Sequence, residues 1–365
     1  MLRTLLPTYQ QIARSGYSRI EVDCDTFLKN VKLRHEMLRP REQKDILLTQ
    51  YRFTYHLDKL YIEGRGGEVY RLHPLVERQI LSNLGVETKF REFCPENFHL
   101  ALNEAINKHP WFRTQKIARV VDGDTGAIIR ALVSNSYGFL DDMDWIPEVL
   151  KTLQEDKDND WYLSHIDVND LNTHIRVSTK KTDSLRVGDV VQKSIDLRNS
   201  EVAQGGLRVQ YLYHILRCQN GMTSESNQDM LTTTHRGSEK VTHFKEMFKY
   251  IIEMATNGGW EKIRQLYVRA GDIDVSEEEA LDIIAESRKA LGLTTMMSAN
   301  VQQEFRNNPL DLSLFAVSQA FSRVAQDYKN YEDRFLLEKS SGRLLNPLHM
   351  RKIHRKEMAD RLVLV

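Results

Sequence analysis

Cysteine is scarce in this chain. The three present, Cys24, Cys94 and Cys218, are widely spaced, and no CxxC pair exists. That excludes a disulfide framework and a zinc site of the usual ligand spacing, and leaves buried free thiols as the plain reading. A surplus of either charge is missing too. Lys and Arg number 51, as do Asp and Glu. No bulk attraction to a polyanion operates, so nucleic-acid binding would need a local patch. No run approaches the ~18 apolar residues of a membrane span. A Walker motif, a GxGxxG turn after a strand, HExxH, a nucleophile elbow and the kinase set are absent. That leaves catalysis open, because many sites are assembled from distant residues. No cofactor, metal or individual catalytic residue is indicated.

What is present reads as a soluble globular protein. Hydrophobic residues make up 41% and charged residues 28% of 365, enough for one large or two ordinary domains. The start, MLRTLLPTYQQIARSG, is acid-poor like a transit peptide. Pro7 and the lack of a cleavage-like context favour a short amphipathic helix and a cytoplasmic protein. Asp25 is placed to cap a helix through Phe27, Val31 and Leu33, and HEMLRPREQKD reads as a charged linker.

Strand formers then flank EGRGGE, a hairpin turn without the Lys-Ser/Thr of a P-loop. Pro74 opens a helix with the stripe Leu75, Val76, Ile80 and Leu84, stopped by Gly85. Phe98, Leu102, Ala105 and Ile106 repeat that pattern. QKIARVV and GAIIRALVSN flank DGDTG, a second hairpin. Period two puts Arg130 on one face with Ile128, Leu132 and Ser134, either open to a phosphate or held by a carboxylate. DDMDWIPEVLKTLQ starts a helix capped by one of its aspartates. EDKDNDW begins like a calcium loop, but Trp161 stands where Gly is required and Asp167 where the bidentate Glu belongs. An acidic solvated loop is the expectation. WYLSHIDV and THIRVSTKK supply strands, in which His165 and His174 lack a third metal ligand. Arg176, Lys180, Lys181 and Arg186 form a basic stretch, usually a solvated edge.

The centre of the chain is residues 186–222. Val190, Gln192, Ser194 and Asp196 alternate with Val191, Lys193, Ile195 and Leu197, the pattern of a half-buried strand. A polar cluster, Arg198, Asn199, Ser200 and Glu201, follows. Gly205-Gly206 reads as a turn at positive φ. A second strand, Leu207 to Gln210, is expected to run into a short helix carrying Tyr211, Tyr213 and Ile215. Beyond it the polar stretch 223–240 reads as a loop. Helices dominate afterwards, with Ser276 and Glu279 as a capping box and a stripe through Leu312, Phe315, Ala316, Phe321 and Val324. The fold class expected is α+β: a mostly antiparallel sheet with flanking helices at 46–222, after a peripheral segment 1–45, then a loop at 223–240 and a helical region at 241–365.

The segments NSEVAQGGLRV and LRCQNGM resemble a phage/plasmid-like family, domain of unknown function 932. That family has an "NSE-V-G" block followed by "R-hydrophobic-C-x-N-G-M". EGRGGEVYRLHPLVERQILSNLGV resembles its strand-turn-helix block, and IIRALVSNSYGFLDDMD its "R-A-hydrophobic-S-D-R-Y" block. The resemblance spans roughly residues 45–340. Ala203-Gln204 stands near where the family usually has Gly, and Asn135 and Ser136 where acidic and basic residues are common. It implies a mobile-element protein made inside a bacterium and carries no established activity.

The function expected first is nucleic-acid binding, with single-stranded DNA as the suspected partner. It rests on Arg130, Arg198, Asn199, Arg208, Arg217 and Asn220 meeting at the ends of paired strands. Tyr211 and Tyr213 would stack bases, and Lys180 and Lys181 would add charge. An enzyme acting on nucleotides would instead use Asp196, Glu201 and His214 or His235. A structural or interaction protein, such as a virion component or host-defence antagonist, would use the helical C-terminal third as a homo-oligomer interface.

Overall fold

The computed structural model describes residues 9–12, 29, 32, 40–87, 97–123, 126–156, 159–184, 190–215, 220–222, 230–233, 246, 248–250, 259–307, 311–328 and 330–363. In chain order the strands are β1 (Tyr9–Ile12), β2 (Pro40–Ile46), β3 (Tyr51–His56), β4 (Lys59–Gly64), β5 (Val69–Leu72), β6 (Lys116–Gly123), β7 (Gly126–Val133), β8 (Trp161–Val168), β9 (Thr173–Ser184), β10 (Val190–Asn199), β11 (Leu207–Ile215), β12 (Asn220–Met222) and β13 (Met230–Thr233). The helices are α1 (Pro74–Asn83), α2 (Phe98–Lys108), α3 (Asp142–Glu155), α4 (Gly259–Gly271), α5 (Glu277–Leu291), α6 (Thr295–Asn307), α7 (Leu314–Ala325), α8 (Tyr331–Leu344), α9 (Pro347–Lys352) and α10 (Lys356–Leu362). The class is α+β. No helix among the described residues is long and apolar enough to cross a membrane.

The strands divide into two sheets where the sequence suggests one. A six-stranded sheet has the order β2-β6-β7-β5-β4-β3. Its pairs are antiparallel except β5 with β7. A seven-stranded antiparallel sheet has the order β1-β8-β9-β10-β11-β12, with β13 also on β11. The stretch read as peripheral thus supplies β1 and β2, and the stretch read as a polar loop supplies β13.

Local chemistry explains the six-stranded sheet and its helices. The hairpins at EGRGGE and DGDTG form as expected, Glu63 facing Val69 and Gly123 facing Gly126. Pro74 sits in the first turn of α1, and His73 Nδ1 accepts from the Leu75 amide at 3.1 Å. Gly85 ends it at φ +69°, a conformation a β-carbon disfavours. Phe53, Leu60, Ile62, Val76, Ile80, Leu102 and Ile129 share one apolar core. The outer edge of β3 is closed: Asn103 of α2 accepts from Phe53 N at 2.7 Å and donates to Phe53 O at 2.8 Å. That blocks strand addition at an otherwise unpaired edge.

The seven-stranded sheet departs from expectation in three ways. First, β11 continues as strand to Ile215, so Tyr211 and Tyr213 lie on strand rather than helix. Second, Gly205 and Gly206 are not at positive φ; Ala203 is, at φ +59°. A β-carbon there costs about 1–2 kcal/mol, which makes 203 a position suited to glycine. Third, β9 and β10 are buried on both faces. Leu163, Ile175, Val177, Ile195, Leu197 and Val209 pack in a common cluster with Trp145, Val149 and Leu153 of α3. On the other face His174, Arg176, Ser178, Ser194 and Asp196 are equally inaccessible.

The C-terminal helices cap well. Ser276 accepts from Glu279 N at 3.1 Å, and Gly292 ends α5 at φ +74°. α7 is the innermost, with Phe315, Ala316, Phe321 and Val324 buried as expected, whereas Leu312 just before it is exposed. Ser318 and Ser322 of α7 bond Ser341 of α8 at 3.0 and 2.9 Å. The small side chains let the two helices approach closely.

Candidate functional site

The polar cluster after β10 is a buried joint between the two sheets. Glu201 reaches into the six-stranded sheet, where its Oε2 accepts from Arg130 Nη1 at 2.6 Å. Its Oε1 accepts from the Asp142 amide at 3.0 Å, and its backbone oxygen from Arg119 Nη1 at 2.6 Å. Arg130 also donates to Asp170 O at 3.0 Å. Asp142 accepts from Thr173 Oγ1 at 2.5 Å and Trp145 Nε1 at 3.3 Å. Asn199 donates to Leu140 O at 2.9 Å, and Ser200 to Leu171 O at 2.6 Å. Asp144 Oδ2 accepts from the Asp141 amide at 2.8 Å, the expected aspartate cap of α3. Burial works against the charge of Arg119, but Asp141 and Glu201 beside it raise its pKa. Burial pushes Tyr137 up to about 12, so it stays a neutral donor to Ser200 O at 3.1 Å.

A β-bulge explains Arg130. Arg119 pairs with Ala131 and Val120 with Ile129, which leaves Arg130 as the extra residue in β7. The alternation breaks there. Leu132 turns to the core of Ile129, while Ala131 and Val133 join Val202 on the joint side. The sequence grouping of Arg130 with Leu132 is therefore corrected.

A second polar layer lies between the seven-stranded sheet and α8. Arg176 Nε and Nη2 grip Asp196 at 2.6 and 3.0 Å, and Nη2 also meets Glu338 at 2.7 Å. Arg334 holds the other Glu338 oxygen at 3.1 Å. Arg198 Nη2 and His174 Nε2 converge on Glu332 Oε1 at 2.6 and 3.2 Å. Glu332 and Glu338 stand 134 and 162 residues from Arg198 and Arg176 in sequence. Burial holds His165 well below the usual imidazole range, and Arg176 and Arg334 lower it further.

The expected cationic cluster is not gathered in one open place. Arg130 and Asn199 are buried in the joint, and Arg198 is taken by Glu332. Arg208 faces Arg198 across β10 and β11 and is half-buried. Tyr211 lies in the apolar cluster, 1% exposed, and presents no face for a base. The described part of Tyr213 and Asn220 is their strand position. Asn220 pairs with Ile215, roughly 25 Å from Arg208 at the strand's ~3.3 Å per residue. Lys180 and Lys181 sit toward the other end of β9 from Thr173, and Lys180 lies 3.7 Å from Asp160. Arg217, His235, Arg186 and the three cysteines fall outside the described residues.

Two of the acid–base candidates, Asp196 and Glu201, are also engaged. Asp196 is clamped by Arg176 and Glu201 by Arg130. His73 lies 3.2 Å from Asp170 through Nε2 while Nδ1 caps α1. Both ring nitrogens are thereby occupied, with Nδ1 the acceptor and Nε2 the donor. Only the side chain of His214 lies outside the described part of that residue. No group of three or more His, Cys, Asp or Glu among the described residues is placed to hold a metal ion.

One surface of different character escaped the sequence reading. On β3, β4 and β5 the face away from the core carries Arg52, Thr54 and His56, then Lys59, Tyr61 and Glu63, then Val69 and Arg71. Tyr61 has Thr54 on one side and Arg71 on the other. Glu63 accepts from Thr54 Oγ1 at 3.2 Å, and no ion pair joins it to Arg52 opposite. Arg71 is half-buried, its Nε out of solvent and without a partner. The face is exposed at Arg52, His56 and Glu63, half-buried at Thr54, Lys59 and Tyr61, and closes at β7, where Ile128 and Arg130 are buried. The signal was legible as period-two alternation in 52–63. No protein-family model, curated protein or solved structure matches the chain.

Proposed function

We propose that this chain is a phage- or plasmid-encoded nucleic-acid-binding protein, and that its binding surface is not the arginine-rich strand end but the open face of β3, β4 and β5. The observation that carries the reading is the charge there. Among the described residues Arg52, Lys59 and Arg71 have no acid partner, and Glu63 is the one carboxylate on their face. In a chain of zero net charge such a face is a local patch of the kind a polyanion needs. The resemblance to a phage/plasmid-like family supports the cellular setting.

Fluorescence anisotropy with a labelled 30-mer oligonucleotide at low salt tests it. Binding that weakens steeply as salt rises is the expected result, because neutralised phosphates release counterions. An oligonucleotide that stays free at low salt removes the reading.

A structural or interaction protein is the second reading. It is favoured by the joint itself, where groups suited to chemistry are spent on uniting two sheets. Light scattering tests it: a strict monomer disfavours a coat-like role, and with it an annealing ring.

A further inference from the structure

We infer that the ligand lies single-stranded across β3, β4 and β5, with Tyr61 as the platform on which a base stacks and Arg71 as the phosphate contact beside it. This rests on the nucleic-acid reading above and adds the strand state of the ligand and the residues that meet it.

Tyr61 is half-buried, and among the described residues it makes no hydrogen bond or ring contact. No hydrogen bond or ring contact among the described residues explains an aromatic side chain at the centre of a polar face. The uncovered part of a flat ring on a strand offers a base the π-surface that duplex DNA keeps hidden in its stack. Around the ring, Arg71 is directly across on β5, Lys59 is two residues along β4, and Arg52 lies diagonally across on β3. These are the neighbours that would meet phosphates on either side of a stacked base. Arg71 stands where the face begins to close, with a guanidinium nitrogen already out of water and unpaired. A phosphate there would supply the missing acceptor, and the arginine fork suits it. Exposed apolar groups border the same face: Val69, 50% exposed, beside Glu63, and Leu57, 77% exposed, at the β3–β4 turn. Backbone pairing is not the mode of capture, because Asn103 occupies the β3 edge.

The test uses the full chain, a 30-mer single strand and the matching duplex. Tyr61→Ala is expected to weaken single-strand binding about 5- to 150-fold, the loss of one stacked base, with duplex binding unchanged. Tyr61→Phe keeps the ring and is expected to bind as the parent does. Arg71→Ala is expected to flatten the salt dependence by about 0.7 in log–log slope, one phosphate contact on a single strand. Photocrosslinking with a 5-bromouracil oligonucleotide is expected to mark the peptide holding Tyr61. If the parent binds single strands while Tyr61→Ala binds equally well and crosslinks fall elsewhere, this site is overturned and the nucleic-acid reading survives. If the parent binds neither oligonucleotide at low salt, both fall. Thermal melts of Arg52→Glu and Lys59→Glu, both on the same face, guard against misfolding: folded variants with unaltered affinity also overturn the site.

Discussion

Arg176 and Arg71 are both strand arginines set among polar neighbours, yet the protein uses them in opposite ways. Arg176 is 3% exposed and engaged by Asp196 and Glu338. Arg71 stands at the rim of an open face with a bare Nε. The difference is the arrival of α8, which lays Glu332 and Glu338 over the polar side of one sheet. Among the described residues no acid is bonded to Arg52, Lys59 or Arg71. Counting arginines therefore says little about ligand binding. What matters is whether the fold brings an acid to each.

The largest test of that contrast is at the joint. Arg130→Ala removes the guanidinium from the buried Glu201 carboxylate, and breaking a buried pair from one side costs about 3–5 kcal/mol. Urea unfolding followed by far-UV circular dichroism is expected to show that loss. Arg130→Lys is expected to fall between, because an ammonium cannot reach both Glu201 and Asp170 O as the guanidinium does. A loss under about 1 kcal/mol for Arg130→Ala, the level of an exposed pair, would mean the joint does not bind the sheets together.

Much of the framework was legible because its causes are local. The glycine-bearing turns, Pro74 before its stripe, Ser276 before Glu279 and the pairing of β10 with β11 all follow from residues within a few positions. The joint was not, for two reasons. Alternating polar residues on β9 and β10 normally mean a solvated face, and here the acids that bury that face lie 134 to 162 residues further on. The bulge at Arg130 also shifted a face by one residue, and no turn residue announces it. Tyr211 misled for a third reason: YLYHI carries no glycine or proline to separate strand from helix. The open face of β3 and β4 could have been found, since Arg52, Thr54, His56 and Lys59, Tyr61, Glu63 alternate with Phe53, Tyr55 and Leu60, Ile62.

Acid pH sharpens the contrast at an intermediate size. His165 lies on the covered polar face and stays neutral there, chiefly through burial. In the unfolded chain its pKa is about 6.5. Below that pH the unfolded state binds a proton that the folded state refuses, so stability falls as pH drops. The slope from one such group is at most ~1.4 kcal/mol per pH unit. His349, held at about 4 by burial, adds a second contribution of the same sign. His165→Gln is expected to remove one proton's share of the slope between pH 5 and 6.5, measured by urea titrations at each pH. An unchanged slope would mean that His165 takes up its proton in the folded state, and that the covered face is wetter than its geometry.

The smallest effect is expected on the open face, and its smallness is the point. Arg52 is exposed, makes no hydrogen bond or ion pair, and stands opposite a Glu63 already bonded to Thr54. Removing it breaks no contact, so Arg52→Ala is expected to change stability by less than about 0.5 kcal/mol. The same substitution removes a cation from the face that would meet phosphate, so oligonucleotide affinity is expected to fall while the melting temperature holds. A residue that costs nothing to delete from the fold yet weakens binding is kept for the ligand. Equal losses in both measurements would put Arg52 among the structural arginines and erase the difference between the two sheets.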